Sequence, residues 1–587
     1  MAQLDSQSKT LQIVYGWFAE DRLFVNRRYQ RKLVWTLSEK QKLVSSVLKG
    51  YPIPAILLAE REGRYEIIDG LQRLYTLNSF IETSFPTEDN KYFHVDEFSN
   101  ARNRRDQGVF HPLPEMSLEL EPDEVVKFLD YPLSISVIRG ASESEIDEVF
   151  SRINTYGHRL SDQERRQAGV QGGFPELVRS LASDIRGDSS PDILTLSCMP
   201  QISIDLPRMQ HGYSIQADQV FWVKQGVLNA SDLRDGLDEQ CIADIVASIV
   251  GGQILERSKD ALDRIYRSSN LEYQRIARGL DAYGSKRIAD EFKYCIGEIE
   301  KITQTSKPDK NLKKILGITN QFPGLFSLII LALHDIVFSS KRIISDYDGV
   351  RSVFSSIYRN LKNTHRTSSP ERKKVIDMLK GAISDYFISG SPGEIHFNAS
   401  VIDIDNIIRR SEIELPFYEL KQGVYDLNRH KRKLNSEVYT RVIETICAIA
   451  NSKPEKDGFV LVGVADRDEH AHKIEELDTV SPRKVGKRYV VGVSREAVLQ
   501  GGTVESYVNG WKTAIRESGL SEPLKSSVLT AIDYNDYYGL GVLIINVPGQ
   551  KDPSYLNKKM YIRDVDETKE IKDPQRIAAV CRRFYNG

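Results

Sequence analysis

Cysteine is scarce in this sequence. Cys198, Cys241, Cys295, Cys447 and Cys581 are scattered over 587 residues. None stands at zinc-ribbon spacing, and the pattern fits a reduced compartment rather than a disulfide framework. Long apolar runs are also missing. The most apolar stretch, Leu325–Leu333, is closed by His334 and Asp335; it is too short to span a bilayer, so a buried helix and no membrane partner are expected. The first residues show no basic segment leading into an apolar core, so no signal peptide and a cytoplasmic location are expected. No GxxxxGK[ST] phosphate loop occurs, and any nucleotide chemistry must use another corner. An excess of one charge is absent too: 80 Lys and Arg face 82 Asp and Glu. That balance excludes a uniformly basic nucleic-acid coat but leaves room for local basic patches.

What is present, 40% hydrophobic and 28% charged residues over this length, indicates a globular protein of two to four domains. The most informative stretch is Arg64–Leu77, RYEIIDGLQRLYTL. Tyr65–Ile68 reads as a short buried strand, Asp69-Gly70 as a turn, and Leu71, Leu74, Tyr75 and Leu77 recur at helical spacing. Gln72 and Arg73 then fall in a first helical turn, where backbone N–H groups and the helix dipole favour an anion. On the residues alone the corner reads either as a phosphate site or as an Asp cap beside a solvated Arg. Upstream, Arg27, Arg28, Arg31 and Lys32 surround Tyr29 near Trp35, suited to phosphate contact and base stacking or simply to a charged surface. Ile53–Leu58 is a further strand and Glu39–Leu48 a helix, while Phe85–Pro122 reads as a long flexible insertion. In Glu148–Arg166, Phe150 and Ile153 should point inward, leaving Arg152 and Asn154 at the element's end.

These three motifs, in this order, resemble the ParB- and sulfiredoxin-like N-terminal domain of the GmrS/GmrD modification-dependent restriction enzymes and related anti-phage proteins. The family's Asp-Gly-Gln-Gln-Arg box stands here as Asp69, Gly70, Leu71, Gln72, Arg73. The resemblance implies a ParB-like α/β nucleotide-binding domain over residues 1–167. Asp69, Gln72 and Arg73 are its implied catalytic corner and Gly70, Arg152 and Asn154 its binding residues, with a nucleoside triphosphate (NTP) as ligand or substrate. Leu71 replaces the family's first Gln, which bears on hydrolysis more than on binding. Many relatives carry a His-Asn-His nuclease, and the ten histidines here supply no such motif.

Residues 168–397 turn helical, with three- and four-residue apolar steps over Ile242–Ile254, Ser258–Ile265, Ile288–Ile302 and Val375–Phe387. This middle region is expected to scaffold, couple or oligomerise. The chain breaks at Gly390–Gly393, and residues 398–587 begin a second α/β pattern. Tyr439–Ala450 is an amphipathic helix and Phe459–Val464 a central strand covered on both faces. A helix over Val504–Ser518, strands over Val528–Asp533, Gly541–Val547 and Met560–Arg563, and a last helix with Ile577, Val580, Cys581 and Phe584 inward complete a mixed or antiparallel sheet domain.

Glu414, Glu419 and Lys421, the run Ala448–Asn451, Gly463–Asp466 and Met560–Arg563 together resemble the Schlafen AlbA-like domain. Pro454–Gly458 is longer and more charged than the family's Gly-Gly connection. Some members of that family are metal-dependent nucleases, and others bind nucleic acid without cutting. The resemblance therefore implies Glu414, Glu419 and Asp466 as ligands of Mg2+ or Mn2+, with Lys421 at the scissile phosphate. Glu414 and Glu419 have opposite strand parity, so a bend near Pro416 is needed to bring them together. Lys431, Arg432 and Lys433 form one basic cluster, and Arg483, Lys484, Lys487 and Arg488 a second. Both are candidate phosphate contacts. Taken together, the expectation is an α/β multidomain anti-phage protein of prokaryotic type, whose nucleotide-binding module controls a C-terminal nucleic-acid-binding, metal-dependent nuclease. A non-catalytic DNA-binding regulator and an RNA-cleaving effector are the alternatives. DNA is the expected nucleic acid and RNA the alternative; further copies of the chain or other defence proteins are the expected protein partners.

Overall fold

Burial separates edge from centre in the N-terminal sheet. β1 (Gln3–Thr10) is exposed or half-buried throughout, whereas β4 (Arg64–Asp69) is buried from Tyr65 to Ile68. The computed structural model describes residues 3–27, 33, 35–106, 110, 113, 117–156, 161–167, 172–188, 193–199, 201–203, 214–304, 311–361, 367–392, 401–412, 415–428, 432–454, 456–499, 502–564 and 567–585. They form two units, Met1–Pro392 and Gly393–Gly587.

In the first unit, α1 (Leu11–Ala19), β2 (Leu23–Asn26), α2 (Leu37–Leu48), β3 (Ile56–Arg61), β4 and α3 (Leu71–Ile81) lead to α4 (Ser99–Asp106), α5 (Pro122–Leu129) and β5 (Pro132–Arg139). α6 (Glu143–Tyr156), α7 (Asp162–Gln167), α8 (Gly173–Arg186) and β6 (Ile193–Thr195) follow. The sheet order is β1-β5-β3-β4-β2-β6. β2 runs parallel to β4 and β3 parallel to β5, while β1, β6 and the β3–β4 pair are antiparallel. Leu11, Val44, Leu58, Ile67, Leu74, Leu77 and Phe128 share the main core, and α6 covers the opposite face through Ile146 and Phe150 against Ala59, Ile68 and Ile138.

The described residues of Phe85–Pro122 correct the expectation of a flexible insertion. Phe85, Phe93, Val95, Phe98, Phe110 and Leu120 are buried in the main core, α4 forms within the stretch, and Tyr92 bridges to Glu119. Phe80 packs with Phe85, Phe93 and Phe128 at ring separations of 5.6, 6.1 and 5.2 Å. These aromatics have no helical or strand period, which is why the sequence concealed them. Helices then dominate the unit. α9 (Leu237–Val250) stops at Gly251-Gly252, four residues short of the periodic run, and α10 (Pro323–His334) is buried from Gly324 to His334, as expected of its apolar stretch.

The second unit is built on β7 (Tyr418–Lys421), α11 (Glu437–Ala450) and β8 (Gly458–Val462). β9 (Val464–Ala465), α12 (Asp468–Asp478), β10 (Arg483–Val485), β11 (Arg488–Val490), α13 (Val504–Glu517), β12 (Ile532–Asn535) and β13 (Val542–Val547) follow. The hairpin β14 (Met560–Asp564) and β15 (Glu567–Ile571) and the last helix α14 (Pro574–Tyr585) complete it. β8 lies between parallel β7 and antiparallel β13 in the order β7-β8-β13-β12, so the sheet is mixed. Val460 and Val462 pack toward α11, whereas Leu461 meets Ile404 and Ile408 from the other side. The expected strand over Val528–Asp533 is instead a helix, Leu524–Thr530, turning into β12, because Leu524 and Val528 are buried together one turn apart. Gly458 is required by close approach: a Cβ there would lie 2.3 Å from Ile449 Cγ2 and 2.7 Å from the Phe417 carbonyl.

Candidate functional site

Parallel β2 and β4, with Leu23 beside Tyr65 and Phe24 beside Glu66, end at the same sheet edge. Asp69 closes β4 there, and α3 starts two residues on. Gly70 turns the corner with φ 99°, and a Cβ at that position would lie 3.0 Å from Ile56 Cγ1. No side chain caps α3. Arg73 donates to Asp69 Oδ2 at 2.8 Å, with Arg73 12% and Asp69 47% exposed. No other partner of the Arg73 guanidinium lies among the described residues. Leu71 is 2% exposed in the core, so the residue replacing the family's Gln faces away from the corner.

α6 starts beside β5's end, where Arg61 donates to the Ala141 carbonyl, and its Ile146 and Phe150 pack with Ile68. Its final turn therefore runs toward the Asp69 edge. Arg152 is exposed there and ion-paired with Glu148 at 2.5 Å; the Asn154 side chain lies outside the described residues. Glu66 and Asn26 are two residues the sequence reading missed. Burial pushes the Glu66 carboxyl up, partly offset by a hydrogen bond from Asn26 and the charge of Arg61.

Arg27 does not present a free cation at this edge. It is bonded to Asp188, with the two side chains 9% and 1% exposed, and Asp188 is also held by Arg186. Arg28 and Arg31 lie outside the described residues.

In the second unit Glu419 accepts from Lys421 Nζ at 2.6 Å and Arg563 at 3.0 Å. Asp466 instead lies 3.5 Å from His470 Nδ1, and its carbonyl accepts from Arg488. No contact links Asp466 to Glu419, and Glu414 lies outside the described residues. A divalent ion on Glu419, about 5 Å from each cation, would be repelled by roughly 7 kcal/mol per cation at an effective dielectric of 20. No group of three acidic, His or Cys side chains among the described residues is placed to hold a metal. Among the described residues, Glu419 and Asp466 are thus not brought together as a pair of ligands for Mg2+ or Mn2+.

Asn451, from the Ala448–Asn451 motif, is a structural tie: it bonds the Ser554 and Tyr561 carbonyls and accepts from the Ser554 amide. Arg432 is likewise committed, to Asp478, which Arg495 also holds. Lys433 is exposed and Lys431 lies outside the described residues. The second basic cluster is a hairpin, β10–β11, turning at Gly486-Lys487. Lys484 and Lys487 are exposed, Arg483 stacks 3.4 Å from the Tyr538 ring centroid, and Lys484 lies 5.1 Å from that of Tyr489. The Lys487 amide donates to Glu412, whose carboxyl burial pushes up.

Residues 14–170, which carry the Asp69 corner and α6, match the family described as GmrSD restriction endonuclease, N-terminal domain. This segment is similar to the GmrSD-type N-terminal domain. It covers about a quarter of the chain. The GmrSD-type segment includes the four central strands of the sheet; β1 and β6, at the two edges, lie outside it. No curated protein matches the chain. No helix among the described residues is long and apolar enough to cross a membrane.

Proposed function

We propose that the chain is a restriction-type defence protein acting on DNA, in which an NTP held at the Asp69 edge governs how the C-terminal unit holds nucleic acid. The observation that carries this reading is the coincidence of the GmrSD-type segment with an uncapped helix start bearing an Asp69–Arg73 pair. Arg73 spends one terminal nitrogen on Asp69, leaving the rest of its fork for phosphate. The first-turn amides of α3 and its dipole favour the same charge. Arg152, exposed on α6, is a further candidate phosphate contact, and Asn154 is proposed beside it from the motif alone. Because Leu71 faces the core, nothing at that position orients water, and turnover is slow or absent. The ParB-like fold of residues 1–167 and the AlbA-like fold of residues 398–587 belong to this proposal.

Exposed Lys433, Lys484 and Lys487 support nucleic acid as partner of the C-terminal unit. The engagement of Glu419 by two cations favours holding over metal-dependent cutting by that unit. Calorimetric titration of each NTP into wild type and Arg73→Ala tests the corner: binding is expected in wild type, weakened about tenfold or more in the variant. Equal affinities would remove the site.

A further inference from the structure

Glu419 and Lys421 stand two residues apart on β7 and project to the same face of the sheet. Arg563 reaches them from β14, 144 residues along the chain, donating to Glu419 Oε2, to Thr568 Oγ1 and to the Tyr418 carbonyl. Thr568 in turn shares a hydrogen bond with Thr445 of α11, which fixes the β14–β15 hairpin against that helix. We propose that Glu419, Lys421 and Arg563 form a phosphate site that takes a nucleic-acid phosphodiester without a metal ion, a proposal that rests on nucleic acid being the C-terminal unit's partner.

One carboxylate between two cations leaves a positive charge in excess. Arg563 is 3% exposed and its Nε has no partner among the described residues, so its charge acts where water screens it least. Lys421 is the accessible member at 30% exposure, against 15% for Glu419. It can turn from Glu419 to a phosphate oxygen, exchanging one charge-assisted hydrogen bond for another. Glu419 then acts as an internal stand-in for the ligand, holding two like charges together until a phosphate arrives. A phosphodiester suits the unit better than a single carboxylate ligand because exposed Lys433, Lys484 and Lys487 offer the separate cations that a repeating backbone charge requires.

This arrangement predicts opposite signs for two substitutions. Binding of a fluorescein-labelled DNA oligonucleotide by the full chain is measured by anisotropy in EDTA. Lys421→Gln weakens it about threefold to tenfold, and Glu419→Gln, which keeps the side chain's shape while removing the competing charge, tightens it about threefold. Weaker binding by Glu419→Gln, wild-type binding that EDTA abolishes, or no change in either variant would each overturn the proposal. The double variant Lys484→Ala/Lys487→Ala separates this outcome from the broader reading. If that variant alone weakens binding, the unit still holds nucleic acid and only the phosphate site falls. If wild type binds no oligonucleotide, both fall.

Discussion

Leu71 and Arg73 sit two residues apart and face opposite environments. Leu71 is buried and Arg73 reaches the sheet edge to meet Asp69. Restoring the family's residue with Leu71→Gln therefore places an amide in the core instead of at the corner. It should cost about 2–4 kcal/mol of stability through lost apolar burial and an unpaired polar group. A lowered melting temperature with no gain in NTP turnover is the expected result; an unchanged melting temperature would mean that Leu71 does not pack as described. That Asp69 and Arg73 share one strand-to-helix corner was legible in the sequence because only four residues separate them; their direct ion pair was not read there. The bond between Arg27 and Asp188 was not, since 161 residues separate the partners and nothing local announces it. Arg563 escaped the sequence reading for the same reason: the motif marked it as part of a strand, whereas its meeting with Glu419 depends on how β14 docks.

Among elements, the basic runs divide according to their partners. Arg432 is 13% exposed and shares Asp478 with Arg495, so Arg432→Ala should destabilise the C-terminal unit by about 1–3 kcal/mol, measured by urea melting. The β10–β11 hairpin behaves differently because Lys484 and Lys487 are exposed at its turn. Replacing both by Ala should leave stability nearly unchanged and reduce the slope of log affinity against log salt by up to about 2, roughly 0.9 per lost phosphate contact. An unchanged slope would assign the hairpin to ordinary surface. Charge patterning found these residues but could not distinguish a buried ion pair from a solvated one.

α2 adds a pH-dependent tie. Burial pushes the Glu39 carboxyl up, but hydrogen bonds from Arg234 and Thr36 outweigh it and the net shift is downward from the ordinary 4.5. A depressed folded value makes the stabilisation complete above the unfolded value and lost as pH falls through the folded one. Thermal melting of wild type and Arg234→Ala should therefore differ above about pH 5 and converge in acid. A difference that grows toward acid would contradict the assignment.

Taken as a whole, the chain contains a GmrSD-type segment whose sheet is completed at both edges by strands outside the match, helices continuing from it, and a separate mixed-sheet unit. Strands and helices with strong periodicity were readable: β4, α3, α10, α11 and β8 fall where the apolar pattern puts them. The aromatic insertion after α3, the β10–β11 hairpin, the pairing of β15 with the expected strand β14 and the helix before β12 were not. Their residues pack through contacts distant in sequence, and the short strands carry too few alternations to show a period. The central claim is that a ligand at the Asp69 edge governs nucleic-acid holding in the second unit. Its most direct measurement is the anisotropy of a labelled DNA duplex titrated with the full chain, with and without NTP, for wild type and Arg73→Ala. The account predicts that NTP shifts the wild-type Kd about fivefold or more and leaves the variant's Kd unmoved. The same Kd in wild type with and without a bound NTP would contradict it.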